Sequence, residues 1–404
     1  MRVLLINHFP LFGSGSGVYT LNIANSLLRL GHEVVALFPD NHVDDTPYGF
    51  RTHPVYFTDA DGKAPVADAL PFNFPCFTTH PRSTNTFEAL TDEELEAYLD
   101  AFRRAIAQEV EEFKPDVIHA GHIWLLAQLA GQTGLPLVVT AHGTDLIGYR
   151  QSTRYHDAAL EAATLASSIV AISERNLAEV VETFPFAEGK TRLISNGYDD
   201  ARFYPADVTR EEVLSRYGIT RPYPKLVSFA GKFAHFKGID ILLRAAALYE
   251  DEDTATVLAG DGELFDEMNR LAMELELENV YFIHAQKPDA LRDLYSVADV
   301  SLAPSRKEPF GLVVIEAGAC GAPVVGTDGG GIADILTPST GILIPEEDHE
   351  ALAAAVTSVL SGERVFDSGH IARYTKDHFS QGQYTRELVD ELYRPACDGG
   401  SDDA

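Results

Sequence analysis

Four stretches place reactive or anion-binding side chains where an apolar run gives way to a turn. The first is FGSGSGVYTLNIANSLLRLGHEV, in which Gly13, Gly15 and Gly17 lead into a helical pattern. Glycine lets backbone approach a ligand closely, and the N–H groups of a helix start favour an anion. The G-x-G-x-G spacing departs from the dinucleotide fingerprint G-x-G-x-x-G, and Glu33 suits its acidic ribose position only loosely, so a plain tight turn stays open. The second stretch, GKFAHFKG (231–238), sets Lys232 and Lys237 five positions apart. Two ammonium groups suit a diphosphate whose charge grows as it leaves; a solvated basic loop is the alternative.

The third stretch is SRKEPFGLVVIEAGACGAPVVGTDGGG (305–331). Glu308 precedes Pro309 and so belongs on a loop, whereas Phe310, Gly311 and Leu312 open the next helix with free N–H groups. Glu316 falls in the second turn of that helix. Two ionised carboxylates accept hydrogen bonds only, which suits paired sugar hydroxyls; a surface glutamate plus a helical one is the plainer reading. In the fourth, TAHGTDL (140–146), His142 stands where a strand ends, and its imidazole could serve a reacting group or simply be structural. Asp251-Glu252-Asp253 has a metal-binding D-x-D spacing but reads as an exposed acidic turn, so no metal is expected.

These side chains need a scaffold that collects strand ends. Apolar, β-branched runs occur at 2–8, 33–39, 116–120, 137–143, 168–173 and 192–197, with helical patterns at about 17–30, 92–112, 122–132, 155–166 and 174–183. Runs apolar on both faces suit a parallel sheet covered by helices. The alternation restarts at 225–231, 254–260, 280–284, 299–304 and 323–327, after a proline-bearing linker at about 200–224. The fold class is therefore α/β, with two Rossmann-like doubly wound domains facing a cleft. Ligands of such sheets sit at the C-terminal ends of the strands, where all four stretches fall. The weakly patterned segment 59–90 is too long for an ordinary connection and reads as functional or disordered.

The chain has 404 residues, 61 acidic against 31 basic, and a formal net charge of −30. That surface repels nucleic acid and anionic lipid, and no run reaches the ~20 apolar residues of a membrane helix. The N-terminal run MRVLLINHFP is too short for a signal sequence and reads as a first strand. Cys76, Cys320 and Cys397 form neither a disulfide ladder nor a metal pair, so a reducing, cytoplasmic setting is expected.

Taken in order, the glycine-rich start with RLGHEV, KPDVIHAGH, HGTDL, AISERN, NGYDDARFYP, GKFAHFKG, LAGDGEL, YSVADVSLAPS and EPFGLVVIEAGACGAPVVGT resemble the family-4 retaining glycosyltransferases of GT-B fold over nearly the whole chain. The most specific match is the pair Glu308 and Glu316 around an F-G-L turn. The resemblance implies an N-terminal acceptor domain at 1–200, a donor domain at 201–378 and a C-terminal helix at 379–393 returning to the first domain; the composition of the end, CDGGSDDA, makes 394–404 a disordered acidic tail. It implies a nucleotide diphosphate sugar as co-substrate, a hydroxyl acceptor and no cofactor, with HGTD leaning towards UDP over GDP.

Catalytic roles carry over to His142, Lys237 and Glu308, and donor binding to Gly15, Gly17, Lys232, Lys237, Phe310, Gly311, Leu312 and Glu316. Lys232 stands where the family more often has arginine, and Asp334 where it commonly has glutamate. His80 and Arg82, in the 59–90 segment, are candidates for the acceptor. Competing readings are a nucleotide-sugar epimerase on the same fold and a sugar-nucleotide sensor without turnover.

Only nine of the 31 basic residues are lysine, which together with the acidity suits a protein of a halophilic organism. Self-repulsion is screened where the Debye length falls to ~3 Å, near 1 M salt. The unfolding midpoint is therefore expected to climb steeply with KCl up to molar concentration, and a midpoint that is flat in salt would remove the halophilic reading.

Overall fold

The computed structural model describes residues 1–44, 46–77, 80–83, 85–194, 197–306, 308 and 310–399. They form two compact units, one of residues up to 195 together with those from 384 on, the other of residues 196–383.

The first unit is a parallel sheet of seven strands: β1 (Arg2–Ile6), β2 (Glu33–Asp40), β3 (Arg51–Tyr56), β4 (Val117–Gly121), β5 (Leu137–Ala141), β6 (Ser168–Ala171) and β7 (Thr191–Leu193). Their spatial order is β3-β2-β1-β4-β5-β6-β7. The chain thus builds outward from β1 on one side, then returns to build on the other. Between β1 and β4 the strand order reverses, and the loops leaving those strands part. Its helices are α1 (Gly15–Arg29), α2 (Asp92–Glu112), α3 (Leu125–Gly131), α4 (Thr144–Gln151), α5 (His156–Leu165) and α6 (Glu174–Thr183). Thr91 and Glu94 form a reciprocal capping box that fixes the start of α2, and acidic residues in its first turn complement the helix dipole.

Strand β3 escapes the apolar-run pattern. It is an edge strand, half-exposed, with Pro54 inside it, and an edge is where proline is tolerated. The 59–90 segment has little regular structure yet is no loose loop. Phe72, Phe74, Phe77 and Phe87 are buried in the core beside Tyr98, Phe102 and Trp124. Thr78, Thr79 and Thr84 of that segment lie outside the described residues.

The second unit repeats the plan with β8 (Lys225–Ala230), β9 (Thr254–Ala259), β10 (Val280–Ile283), β11 (Val300–Ala303), β12 (Val324–Thr327) and β13 (Gly341–Ile344), ordered β10-β9-β8-β11-β12-β13. Every pairing is parallel, and the order reverses between β8 and β11. Its helices are α7 (Arg210–Ser215), α8 (Ile239–Tyr249), α9 (Phe265–Glu274), α10 (Pro288–Ser296), α11 (Leu312–Ala319), α12 (Gly331–Ile335), α13 (His349–Leu360) and α14 (Ser368–Phe379). The acidic turn Asp251-Glu252-Asp253 precedes β9, at the N-terminal edge of this sheet, and Asp251 is paired there with Lys225 at 3.2 Å.

After α14 the chain forms α15 (Gln381–Glu387), a π-helical turn (Leu388–Tyr393) and α16 (Arg394–Gly399). Tyr384, Leu388, Val389, Leu392 and Tyr393 are buried among Val3, Leu5, Ile23 and Leu27 of the first unit. Helix α16 occupies 394–399, where the sequence suggests a disordered tail. An Arg394–Asp390 ion pair and Cys397, which donates to the Asp116 carbonyl, extend order past Tyr393. Residues 400–404 of the expected tail lie outside the described residues.

Two tyrosines of this segment bracket a buried hydrogen-bonded chain. The Tyr384 hydroxyl meets that of Tyr19, which meets Thr140 Oγ1 at 2.8 Å. Thr140 contacts His119 Nε2 at 2.7 Å, and His119 Nδ1 meets the Tyr393 hydroxyl at 2.5 Å. Burial pushes the His119 pKa down to about 3, so its neutral ring donates at one nitrogen and accepts at the other. The chain is satisfied from end to end, which lets polar groups of β4 and β5 be buried at little cost.

Candidate active site

In the second unit the turn after β8 carries Lys237 and the loop after β11 carries Glu308, the two strands between which the order reverses. The Lys237 ammonium donates a short hydrogen bond to Glu308 Oε2. The two side chains are 13% and 11% exposed, so this is a pair largely withdrawn from water. Ser305 Oγ also donates to Glu308 Oε2, at 3.3 Å.

Backbone packing explains why the loops come so close. Gly238 has φ +66°, and a Cβ there would lie 2.0 Å from the Pro304 carbonyl oxygen, so the two loops touch through a residue that must lack a side chain. From the other side, Gly330 has φ +59° and a Cβ on it would fall 2.2 Å from the Glu308 carbonyl oxygen. The Gly331 N–H donates to that same oxygen at 2.9 Å, and Thr327 Oγ1 donates to the Ser305 carbonyl at 2.6 Å. Glu308 is thus held between the turn after β8 and the glycine loop after β12.

Helix α11 begins directly beyond. Gly311, at φ +106°, is its N-cap and supplies no side-chain acceptor, so the first N–H groups of α11 keep their capacity for an anion. Phe310 is buried at 3% exposure; any part it plays towards a ligand falls to its backbone. Leu312 opens the helix, and Glu316 lies in its second turn, half-buried. Burial pushes the Glu316 carboxyl up to about 8, while the nearby Lys237 charge pulls the other way. Lys232 turns elsewhere: its ammonium lies 3.4 Å from exposed Glu263. The two lysines therefore engage different carboxylates, and only Lys237 is withdrawn from solvent.

In the first unit the three glycines divide by role. Gly13 has φ +96° and its backbone lies against His80, whose ring would sit 3.0 Å from an added Cβ. Gly15 is exposed with open space around it, in the first turn of α1. Gly17 is needed for packing: a Cβ there would meet the Pro10 carbonyl oxygen at 2.0 Å. Its N–H donates to Ser14 Oγ at 3.0 Å, so Gly17 does not offer that group to a phosphate.

His142 follows β5, half-buried, with its Nε2 buried and unpartnered among the described residues. Its ring lies 4.8 Å from that of Tyr19 and 4.8 Å from that of His122. Burial pushes the His142 pKa down to about 3, which keeps the ring neutral at physiological pH. His122 is the residue that sequence reasoning passed over, although KPDVIHAGH contains it. It follows β4 at φ +76°, fully buried, with neither ring nitrogen partnered among the described residues. Asn7 Oδ1 and Asp145 Oδ1 are likewise buried and unpartnered among them. A Cβ on Gly121 would lie 2.9 Å from Asn7 Oδ1 and 3.5 Å from His142 Nε2, so these atoms converge at the strand ends. Neutral imidazoles, an amide oxygen and a carboxylate form a set suited to hydroxyl groups. His80 and Arg82 sit on the neighbouring loop, where Arg82 Nη1 donates to buried Asp40 at 3.0 Å.

Glu316 gives a test in pH. The folded chain holds its carboxyl proton to about pH 8, whereas the unfolded chain releases it near 4.5. Because the folded state binds more protons across that window, stability falls as pH rises through it. Glu316→Gln is therefore expected to gain thermal midpoint relative to the parent between about pH 4.5 and 8, with no further gain above; a pH-independent difference would contradict the buried carboxyl.

Comparison with known proteins gives the family. Residues 13–202 match the model for Glycosyltransferase Family 4, and residues 219–377 that for Glycosyl transferases group 1. The D-inositol 3-phosphate glycosyltransferase of Salinispora tropica is 30% identical over 431 aligned positions, covering 96% of this chain and 84% of that protein. Its counterpart from Geodermatophilus obscurus is 30% identical over 343, covering 78% and 75%. Among solved structures, sucrose-phosphate synthase from Thermosynechococcus elongatus superposes with a TM-score of 0.72 at 22% identity, covering 99% of this chain and all of that one. Anabaena HepE in complex with UDP and glucose superposes at 0.73 and 17% identity, covering 98% and 100%. These matches span both units, and the chain belongs to the family-4 glycosyltransferases of GT-B fold, an enzyme of sugar transfer.

Proposed function

We propose that this enzyme moves a hexosyl group from a nucleotide diphosphate sugar to a hydroxyl acceptor, with retention of anomeric configuration and without a metal. The observation that carries the reading is the Lys237–Glu308 pair at the strand-order reversal of the second unit, beside the uncapped start of α11. Lys237 and the N–H groups around Gly311 and Leu312 would hold the diphosphate; Lys232, already exposed, would add charge at its edge. Glu308 would accept hydrogen bonds from the transferred sugar and Glu316 from the ribose. Support for UDP over GDP comes from HepE, whose solved complexes hold UDP and UDP-glucose.

In the reaction the bond from the anomeric carbon to the diphosphate oxygen breaks and a bond to the acceptor oxygen forms on the same face. The acceptor proton passes to the leaving diphosphate, so no protein nucleophile is needed. Lys237 stabilises the charge growing on that phosphate, where preorganised donors contribute most. In the first unit the Gly15 backbone, with open space around it, would be accessible to a phosphate, and neutral His142 would hydrogen-bond a sugar hydroxyl.

A thermal-shift screen against UDP-, GDP- and ADP-sugars in molar KCl is expected to single out a UDP-sugar. D-inositol 3-phosphate, the compound named in the relatives, is the first acceptor to try with it. In the transfer assay that results, Lys237→Ala is expected to lower turnover by about a hundredfold with the fold retained. Unchanged turnover in that variant would remove Lys237 from the chemistry.

A further inference from the structure

Arg306 precedes Glu308 by two residues, and an arginine so close to a phosphate-binding lysine would ordinarily be assigned to the phosphate as well. Its surroundings exclude that assignment. A guanidinium has five N–H donors, and here protein acceptors take up the whole fork. Nη1 donates to the His235 carbonyl at 2.6 Å and to Asp240 Oδ1 at 2.9 Å. Nη2 donates to Asp240 Oδ2 at 2.7 Å and to Glu347 Oε2 at 3.0 Å. Nε donates to Glu347 Oε1 in a short bond. The side chain is 13% exposed, and its own backbone N–H donates to the Phe236 carbonyl at 2.8 Å.

The acceptors come from three separate stretches: the turn after β8, the first turn of α8 and the loop between β13 and α13. Two further features show the cost of assembling them. Glu347 has φ +61°, a left-handed conformation that a residue with a side chain adopts only where its surroundings hold it. Burial acts upward on the Asp240 carboxyl, yet the Arg306 hydrogen bonds hold it below the usual carboxylate range. Lys237 lies two residues from the anchored His235 carbonyl, and Glu308 two residues from Arg306 itself.

We propose that Arg306 is a positioning residue for the donor-phosphate site: touching no ligand, it fastens the turn after β8 to the loop after β11, so that Lys237 is held in place to receive the phosphate, with Glu308 beside it. This rests on the reading of Lys237 as the diphosphate ligand. A guanidinium is not replaceable by a lysine here, because the fork rather than the charge does the fastening.

The test is a double-mutant cycle read by calorimetric titration of UDP, and of GDP alongside, in molar KCl, using whichever the parent binds more tightly. Arg306→Lys keeps the charge and loses the fork; it is expected to weaken binding about tenfold. In the Lys237→Ala background less than half of that effect, on a logarithmic scale, should survive, because Arg306 acts through Lys237. Loss of under about twofold in Arg306→Lys alone, or survival of more than half in the Lys237→Ala background, would overturn the proposal. Parent affinity in Lys237→Ala alone would overturn the donor-site reading and the proposal together. If Arg306→Lys does not fold, Glu347→Gln runs the same cycle with an expected loss of about threefold and the same criteria.

Discussion

Where the strand order of the second unit reverses, an ammonium and a carboxylate that are both nearly buried face one another across the gap between two parting loops. A pair of this kind adds little to stability, because removing two charges from water offsets most of their attraction. Its presence is better explained by what it offers a ligand. In the ligand-free chain Glu308 satisfies the Lys237 ammonium and keeps the lysine in place. On the proposed donor site, a diphosphate arriving at Lys237 would displace that carboxylate, and the released Glu308 would then be an acceptor beside the sugar attached to the phosphate. One contact would thus prepare both halves of the donor.

Much of the surrounding structure serves that contact. Glycines at 238 and 330 occupy places where any side chain would collide with the backbone of the facing loop, so the loops approach to a distance that side chains forbid. The uncapped start of α11 lies one step beyond Glu308, and Glu316 rises from the same helix with its proton held by burial. The first unit follows the same topological rule with different chemistry. Its strand-order reversal gathers His122, His142, Asn7 and Asp145, whose polar atoms left unpartnered among the described residues are buried and neutral or weakly acidic in character. The satisfied chain from Tyr384 to Tyr393 lies beneath them and packs Tyr19 against His142. The second unit thus presents a cation and helix N–H groups, and the first a set of buried polar atoms.

The doubly wound plan was legible because buried parallel strands leave largely apolar runs of four or five residues, such as Val3–Ile6 and Leu226–Ala230. Strand β3 was not, since an edge position tolerates His53 and Pro54 and breaks the run. In the candidate site, Glu308, Glu316 and Lys237 stood out by type and spacing, and Gly311 by its place at a helix start. Gly17 illustrates the limit of such reasoning: a glycine required by packing against Pro10 reads in sequence the same as one required by a ligand. His122 and Arg306 were missed for a related reason. The importance of His122 lies in a ring that has no partner among the described residues and that of Arg306 in a fork that has all of them, and neither property is written in local spacing.

The competition between Glu308 and donor phosphate for Lys237 can be measured directly by titrating UDP, without its sugar, into the parent and into Glu308→Gln. Removing the charge frees the ammonium, so the variant is expected to bind UDP several-fold more tightly, by about the worth of one charge-assisted hydrogen bond at most, while losing transfer from the UDP-sugar. Equal or weaker binding of UDP by Glu308→Gln would contradict the account.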